Sequence, residues 1–110
     1  MKKFNLENMV KGWFVGNFNP SVYSSKDVEV AIKRYKKGDR ENIHHHRQAT
    51  EITVIVEGVV EMNKKIYKKN DIVVIDPYES TNFLVLEKAI TVVVKIPGAS
   101  NDKFEGHFDA

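Results

Sequence analysis

The sequence predicts an all-β protein built as a single domain. Three observations lead there. Apolar residues either alternate with polar ones or fall in short unbroken runs. Turn residues return every eight to twelve positions or so, which marks out about seven to nine short strands. No stretch carries apolar residues at the 3.6 spacing over the length of a real helix. At 110 residues there is room for one modest core. Periodicity alone leaves a sandwich and a barrel equally open.

Residues 1–27 read as an N-terminal arm. Val10–Val15 suggests a short strand, and Asn17–Ser21 a turn. Trp13, Phe14 and Phe18 are concentrated here, and the arm is expected to bury them against the rest of the fold. Val28–Tyr35 alternates, with Val28, Val30 and Ile32 on one face, as a half-buried strand does. Lys36–Asp39 turns into a strand over Asn42–His46. Ile52–Met62 is expected to be two strands joined by a tight hairpin at Glu57-Gly58. Lys65–Tyr67 is a short strand. Ile72–Ile75 is continuously apolar, as in a strand buried on both faces. Thr81–Leu86 and Ala89–Ile96 suggest a last hairpin around Glu87-Lys88. Pro97-Gly98 then closes the regular structure. The polar tail beyond it, with Phe104, His107 and Phe108, is expected to add little to the fold.

Composition narrows the function classes. The hydrophobic share of 42% and charged share of 29% are those of an ordinary globular domain. A formal net charge of +2 gives no case for nucleic acid as partner. There is no cysteine, so a thiol nucleophile is excluded and no disulfide can form; a reducing, cytoplasmic setting fits. The N-terminus has Lys2 and Lys3 but no apolar run of signal-peptide length. No segment reaches the length of a membrane span, so no membrane partner is expected. Neither a Gly-rich phosphate loop nor a Ser/His/Asp spacing is present. The lysines around the turns (Lys33, Lys36, Lys37, Lys64, Lys65, Lys68, Lys69) read first as edge protection, and otherwise as steering for an anionic ligand.

The chemistry concentrates between Gly38 and Gly58, in the pattern G-x5-H-x-H-x4-E-x6-G. On a strand, side chains two apart share a face. His44 and His46 therefore point one way and His45 the other, towards the surface or an interface. Glu51 opens the following strand. If the two strands pair antiparallel, its carboxylate comes round to the two imidazoles. Two imidazoles and a carboxylate suit a divalent transition metal. An inward glutamate would otherwise be costly to bury.

This motif resembles the first conserved motif of the cupin family, with every fixed position filled. The resemblance implies a jelly-roll-like β-barrel over residues 28–97, flanked by the arm (1–27) and the tail (98–110). It implies His44, His46 and Glu51 as metal ligands and the two histidines as the catalytic candidates. The second cupin motif, G-x5-P-x-G-x2-H-x3-N, is degenerate. Asn70 stands at its first glycine, Asp76 at the proline, Tyr78 at the second glycine and Val85 at the asparagine. Thr81 replaces the histidine that usually supplies the fourth ligand. Thr81 is thus expected on the open side of the metal, with Tyr35 and Tyr67 as further cavity candidates.

Three functions follow. One is a cupin holding iron, manganese, nickel or zinc and acting on, or binding, a small molecule such as a sugar or sugar phosphate. A second is a metal-free epimerase or isomerase of the sugar-nucleotide kind, with His44 or His46 as general base near neutral pH. The third is a binding module without turnover. Apolar residues on both faces of Ile52–Val56, Ile72–Ile75 and Val92–Val94 predict a homodimer, since only one face can fill the barrel.

Overall fold

The computed structural model describes residues 1–108; Asp109 and Ala110, the end of the expected tail, lie outside the described residues. After a single 3-10 turn at Leu6–Asn8, the chain forms one eight-stranded sheet. The strands are β1 (Trp13–Val15), β2 (Glu29–Tyr35), β3 (Arg40–His45), β4 (Thr50–Met62), β5 (Lys65–Lys68), β6 (Ile72–Ile75), β7 (Ser80–Ile96) and β8 (Phe104–Glu105). No helix among the described residues is long and apolar enough to cross a membrane.

Two long strands organise the sheet. β7 pairs antiparallel with β4 from Thr50↔Ile96 to Glu61↔Leu84. Beyond them the sheet splits at each end. Towards one end β2 lies on β7 and β6 on β4. Towards the other, β3 lies on β7 and β5 on β4. The small strands β1 and β8 extend β2 and β3.

Neither expected hairpin inside these long strands exists. Glu57-Gly58 is a bulge within β4, where the register with β7 shifts. The alternation explains it. Thr53 and Ile55 are buried on odd positions, but Val60 and Met62 on even ones. Between Ile55↔Thr91 and Val60↔Val85 five steps of β4 run beside six of β7, and this register shift changes the phase so that both halves of β4 keep their apolar side inward. Gly58 adopts φ +94°, and a Cβ there would collide with the Lys88 carbonyl and stand 2.6 Å from Ala89 Cα. In sequence such a glycine looks like a turn. Glu87-Lys88 is not a turn either. Thr81, Phe83, Val85, Ala89, Thr91 and Val93 are all buried in unbroken phase along β7. The polar pair only marks where β7 leaves β3 and meets β2.

The core is formed by Ile55, Val60, Met62, Ile75, Phe83, Val85 and Ala89, with Tyr35, Tyr67 and Val73 packed against it. β6 is not buried on both faces. Ile75 is buried, but Ile72 and Val74 are 64% and 55% exposed, because β6 pairs only with β4 and its outer face meets nothing. The arm covers part of the outer face through Phe4, Leu6, Phe14 and Val22, which surround a hollow over Ile32.

The C-terminal segment departs furthest from expectation. β8 pairs with His44 and His45 of β3. Ahead of it, the Asp102 carboxylate is 4% exposed and accepts the backbone N–H groups of Arg47, Gln48 and Ala49 at 2.9–3.1 Å. Burial opposes its charge, but these N–H groups hold its pKa below the usual aspartate range. This carboxylate ties the end of the chain to the loop that joins β3 to β4. Its role is invisible in sequence because its partners are backbone groups 53–55 residues away.

Gly58→Ala should destabilise the fold by roughly 1–3 kcal/mol through strain and collision, read as a lower urea midpoint with unchanged m. Asp102→Ala should cost about 2–4 kcal/mol by orphaning buried N–H groups, and a chain ending at Ser100 should unfold more readily still. Because the folded pKa of Asp102 is lowered, its stabilisation is fully present above the unfolded value of about 3.9 and lost as pH falls through the folded one. Asp102→Asn should flatten the acid limb of a stability–pH curve below about pH 4.

Candidate metal and ligand cavity

β3 delivers His44 to the inner face directly across from Thr81 of β7. His46 follows two residues on, just past the end of β3, and its carbonyl accepts the Tyr78 N–H at 2.6 Å. Glu51 enters from β4, paired with Lys95 of β7. The β3 and β4 strands are not hydrogen-bonded to each other; β7 lies between them, and the curl of the sheet brings the ligand candidates together. His44, His46, Glu51, Thr81 and Tyr35 line one cavity. Tyr67 does not. It lines a separate hollow at the other end of the fold, with Met62 and Thr81 in the wall between the two.

The three adjacent histidines are all buried, yet their hydrogen bonding separates them. His45 points away from the cavity, as expected, but is only 2% exposed rather than at a surface. β8 covers it. Its Nδ1 donates to the Gly106 carbonyl at 2.8 Å, and its Nε2 accepts from Arg47 Nε at 3.2 Å. Phe104 stacks on its ring at 5.6 Å, with the Arg47 guanidinium 3.9 Å from the Phe104 ring. Both ring nitrogens of His45 are therefore used. His44 donates through Nδ1 to the Asn42 carbonyl at 2.9 Å, which fixes its tautomer and leaves Nε2 as the lone-pair nitrogen. The Nε2 of His46 is buried with no partner.

Burial comes first in setting the charges. It pushes the His46 pKa down to about 4, helped by Lys95 and His44, so the imidazole is neutral at physiological pH. It raises the Glu51 carboxyl, against the pull of Lys95 and His44. It raises the Tyr35 phenol too, reinforced by Glu41 and Glu51, and so keeps it a proton donor.

Neutral imidazoles with a fixed tautomer and an orphaned nitrogen are what metal ligation requires. The two rings lie 5.5 Å apart, edge to face. Imidazoles sharing one tetrahedral ion have centroids about 5 Å apart, from metal–nitrogen bonds of about 2.0–2.1 Å. Glu51 is less settled: it accepts a hydrogen bond from Thr53 Oγ1 at 3.3 Å. Among the described residues no three His, Asp or Glu side chains stand close enough to form a ready metal cluster. Thr81 donates its hydroxyl proton to the Asn82 carbonyl at 2.7 Å and so presents only lone pairs elsewhere.

The cavity also contains residues not picked out from the sequence as site candidates. Lys95, Lys103, Glu41 and Trp13 line it, beside Lys33, one of the lysines read from the sequence as steering for an anionic ligand. Lys95 could have been found by continuing the inward phase of β7 through Thr91 and Val93. Lys103 and Glu41 form an exposed ion pair at 3.5 Å.

No family model and no curated protein matches the sequence. Solved structures do match in shape. A conserved protein with a double-stranded β-helix domain from Klebsiella pneumoniae is 20% identical, covers 98% of this chain and 93% of its own, and has a TM-score of 0.69. An RmlC-like cupin from Shewanella frigidimarina is 18% identical over 70% of this chain and 71% of its own, with a TM-score of 0.63. Oxalate decarboxylase from Bacillus subtilis is 19% identical over 74% of this chain, with a TM-score of 0.65. This chain matches only 24% of that longer protein. At such identities the likeness speaks for the fold alone, and it agrees with the motif at Gly38–Gly58: this chain has the cupin-type β-barrel fold, a double-stranded β-helix.

Proposed function

We propose that this cupin holds a divalent transition metal through His44, His46 and Glu51 and uses it to bind or transform a small molecule, such as a sugar or sugar-phosphate derivative. The observation that carries this reading is the partnerless, neutral, buried Nε2 of His46, in one cavity with His44 and Glu51. These residues would hold the metal, which would supply Lewis-acid chemistry to a ligand oxygen. Around it, Tyr35 offers a phenolic proton and Lys95 a positive charge to the bound molecule. The Mn(II) centres of the Bacillus subtilis oxalate decarboxylase lend support from a protein of the same fold. Iron, nickel and zinc suit the same donors. The lack of cysteine fits work in the cytoplasm.

A second reading is favoured by the spread of the three donors, which form no ready cluster among the described residues. In it the site works without metal, and neutral His46 accepts a proton from the ligand. Protein purified without a nickel column and reconstituted with iron, manganese, nickel and zinc in turn decides between them by elemental analysis. Stoichiometric metal is expected, lost in His44→Ala and His46→Ala and retained in His45→Ala. If none of these metals is held, the metal-free reading replaces the first. Turnover of sugar derivatives then separates an enzyme from a binding module.

We also propose that two copies associate through the outer sheet face. Val74, Ile52, Val94 and Val30 form one cross-strand row, and Ile72, Val54, Val92 and Ile32 the next. The arm reaches only the Ile32 side, and an apolar sheet face open to water is an aggregation hazard. Light scattering at micromolar concentration should give twice the 12.6 kDa chain mass. Ile72→Lys with Val74→Lys should return it to the monomer value, and a monomer in the unaltered protein would contradict the proposal.

A further inference from the structure

The inner cavity is small, about 60 Å³, room for only a few waters. A sugar-sized molecule can place only one end there. Trp13, Lys95 and Lys103 line this cavity and also an outer groove of about 610 Å³, walled by Phe18 and Pro20 of the arm and by the segment before β8. The ammonium groups of Lys33 and Lys95 each lie 5.0 Å from the centroid of the Trp13 ring. Both lysines are only partly exposed. Among the described residues neither forms an ion pair; Lys33 donates only to the Lys11 carbonyl, at 2.7 Å. Lysines withdrawn from water are normally paired with an anion, and two of them over one indole repel each other.

We infer that this mouth is a binding subsite for the anionic group of a small organic acid or phosphate ester, whose other end enters the His44–His46–Glu51 cavity. The anion sits by Lys33 and Lys95, which share their surroundings with Glu41, Glu51 and Glu29 but form no ion pair with them. Lys103, exposed beside them and ion-paired with Glu41 at 3.5 Å, adds a third positive charge at the rim. The inference rests on the proposed ligand cavity for its orientation, but not on the presence of a metal.

Trp13 is the only tryptophan, so its fluorescence reports on this mouth alone. Metal-free protein is titrated at constant ionic strength with glucuronate, glucose 6-phosphate and glucose. At least one of the two anions should change the emission saturably at millimolar concentration, while glucose should not; whichever acts tells a carboxylate from a phosphate ligand. Lys33→Gln and Lys95→Gln, made singly and together, should weaken that binding, on the order of tenfold for the pair. Lys64→Gln with Lys65→Gln, away from the mouth, should leave it unchanged. Circular dichroism confirms that each variant is folded, and either single variant serves if the pair is not. Equal binding of glucose, undiminished binding in the folded lysine variants, or no response to either anion would overturn the inference. Anion binding by unaltered protein that takes up none of the four metals would refute only the metal reading. Metal uptake without anion binding would refute only this one.

Discussion

Everything in this fold depends on the antiparallel ladder between Thr50–Met62 and Ser80–Ile96. Each of these strands is long enough to carry other strands at both of its ends, and their inward rows supply most of the core. Keeping both halves of the ladder facing inward requires a change of phase, and the bulge at Gly58 provides it. The functional cavity inherits its geometry from the same ladder. Thr81 holds β3 and therefore His44 on one side, and Lys95 holds Glu51 on the other.

The second constraint is the burial of polar groups. Three consecutive histidines and an aspartate lie within a few residues of one another in space, all nearly closed to water. The structure satisfies all but one. Asp102 neutralises the backbone donors of the β3–β4 loop. Gly106, Arg47 and Phe104 enclose His45. His44 is oriented by a carbonyl two residues back. Of these four, His46 is the one with a fully buried nitrogen that has no partner, and an unpaired buried nitrogen costs free energy that a ligand or a metal would recover. The C-terminal segment is thus part of the site's support, since it fixes the loop from which His46 and Glu51 diverge.

Much of this was legible in the sequence because side-chain alternation on a strand is a local property. It separated His44 and His46 from His45, while the resemblance to the second cupin motif is what put Thr81 beside the site. It failed at Gly58, where a positive-φ glycine serves a bulge as readily as a hairpin, and at Glu87-Lys88, where two polar residues look like a turn but sit in an extended strand. Tyr67 was misplaced because its strand pairs at the far end of β4, which no local pattern reveals. Asp102 and the packing of Phe104 were hidden for the same reason: their partners are more than fifty residues away. Lys95 was not legible because a lysine on a strand reads equally as a solubilising surface residue, and only the inward phase of β7 through Thr91 and Val93 brings it to the cavity.

The central claim is that two of three neighbouring histidines, and not the third, face one ligand. X-ray absorption on metal-reconstituted protein tests it directly, because imidazole rings give a countable multiple-scattering signal. The account predicts two imidazoles and otherwise oxygen donors at the metal. A site with no imidazole, or with three, would contradict it, since His45 could join only by giving up both of its ring hydrogen bonds.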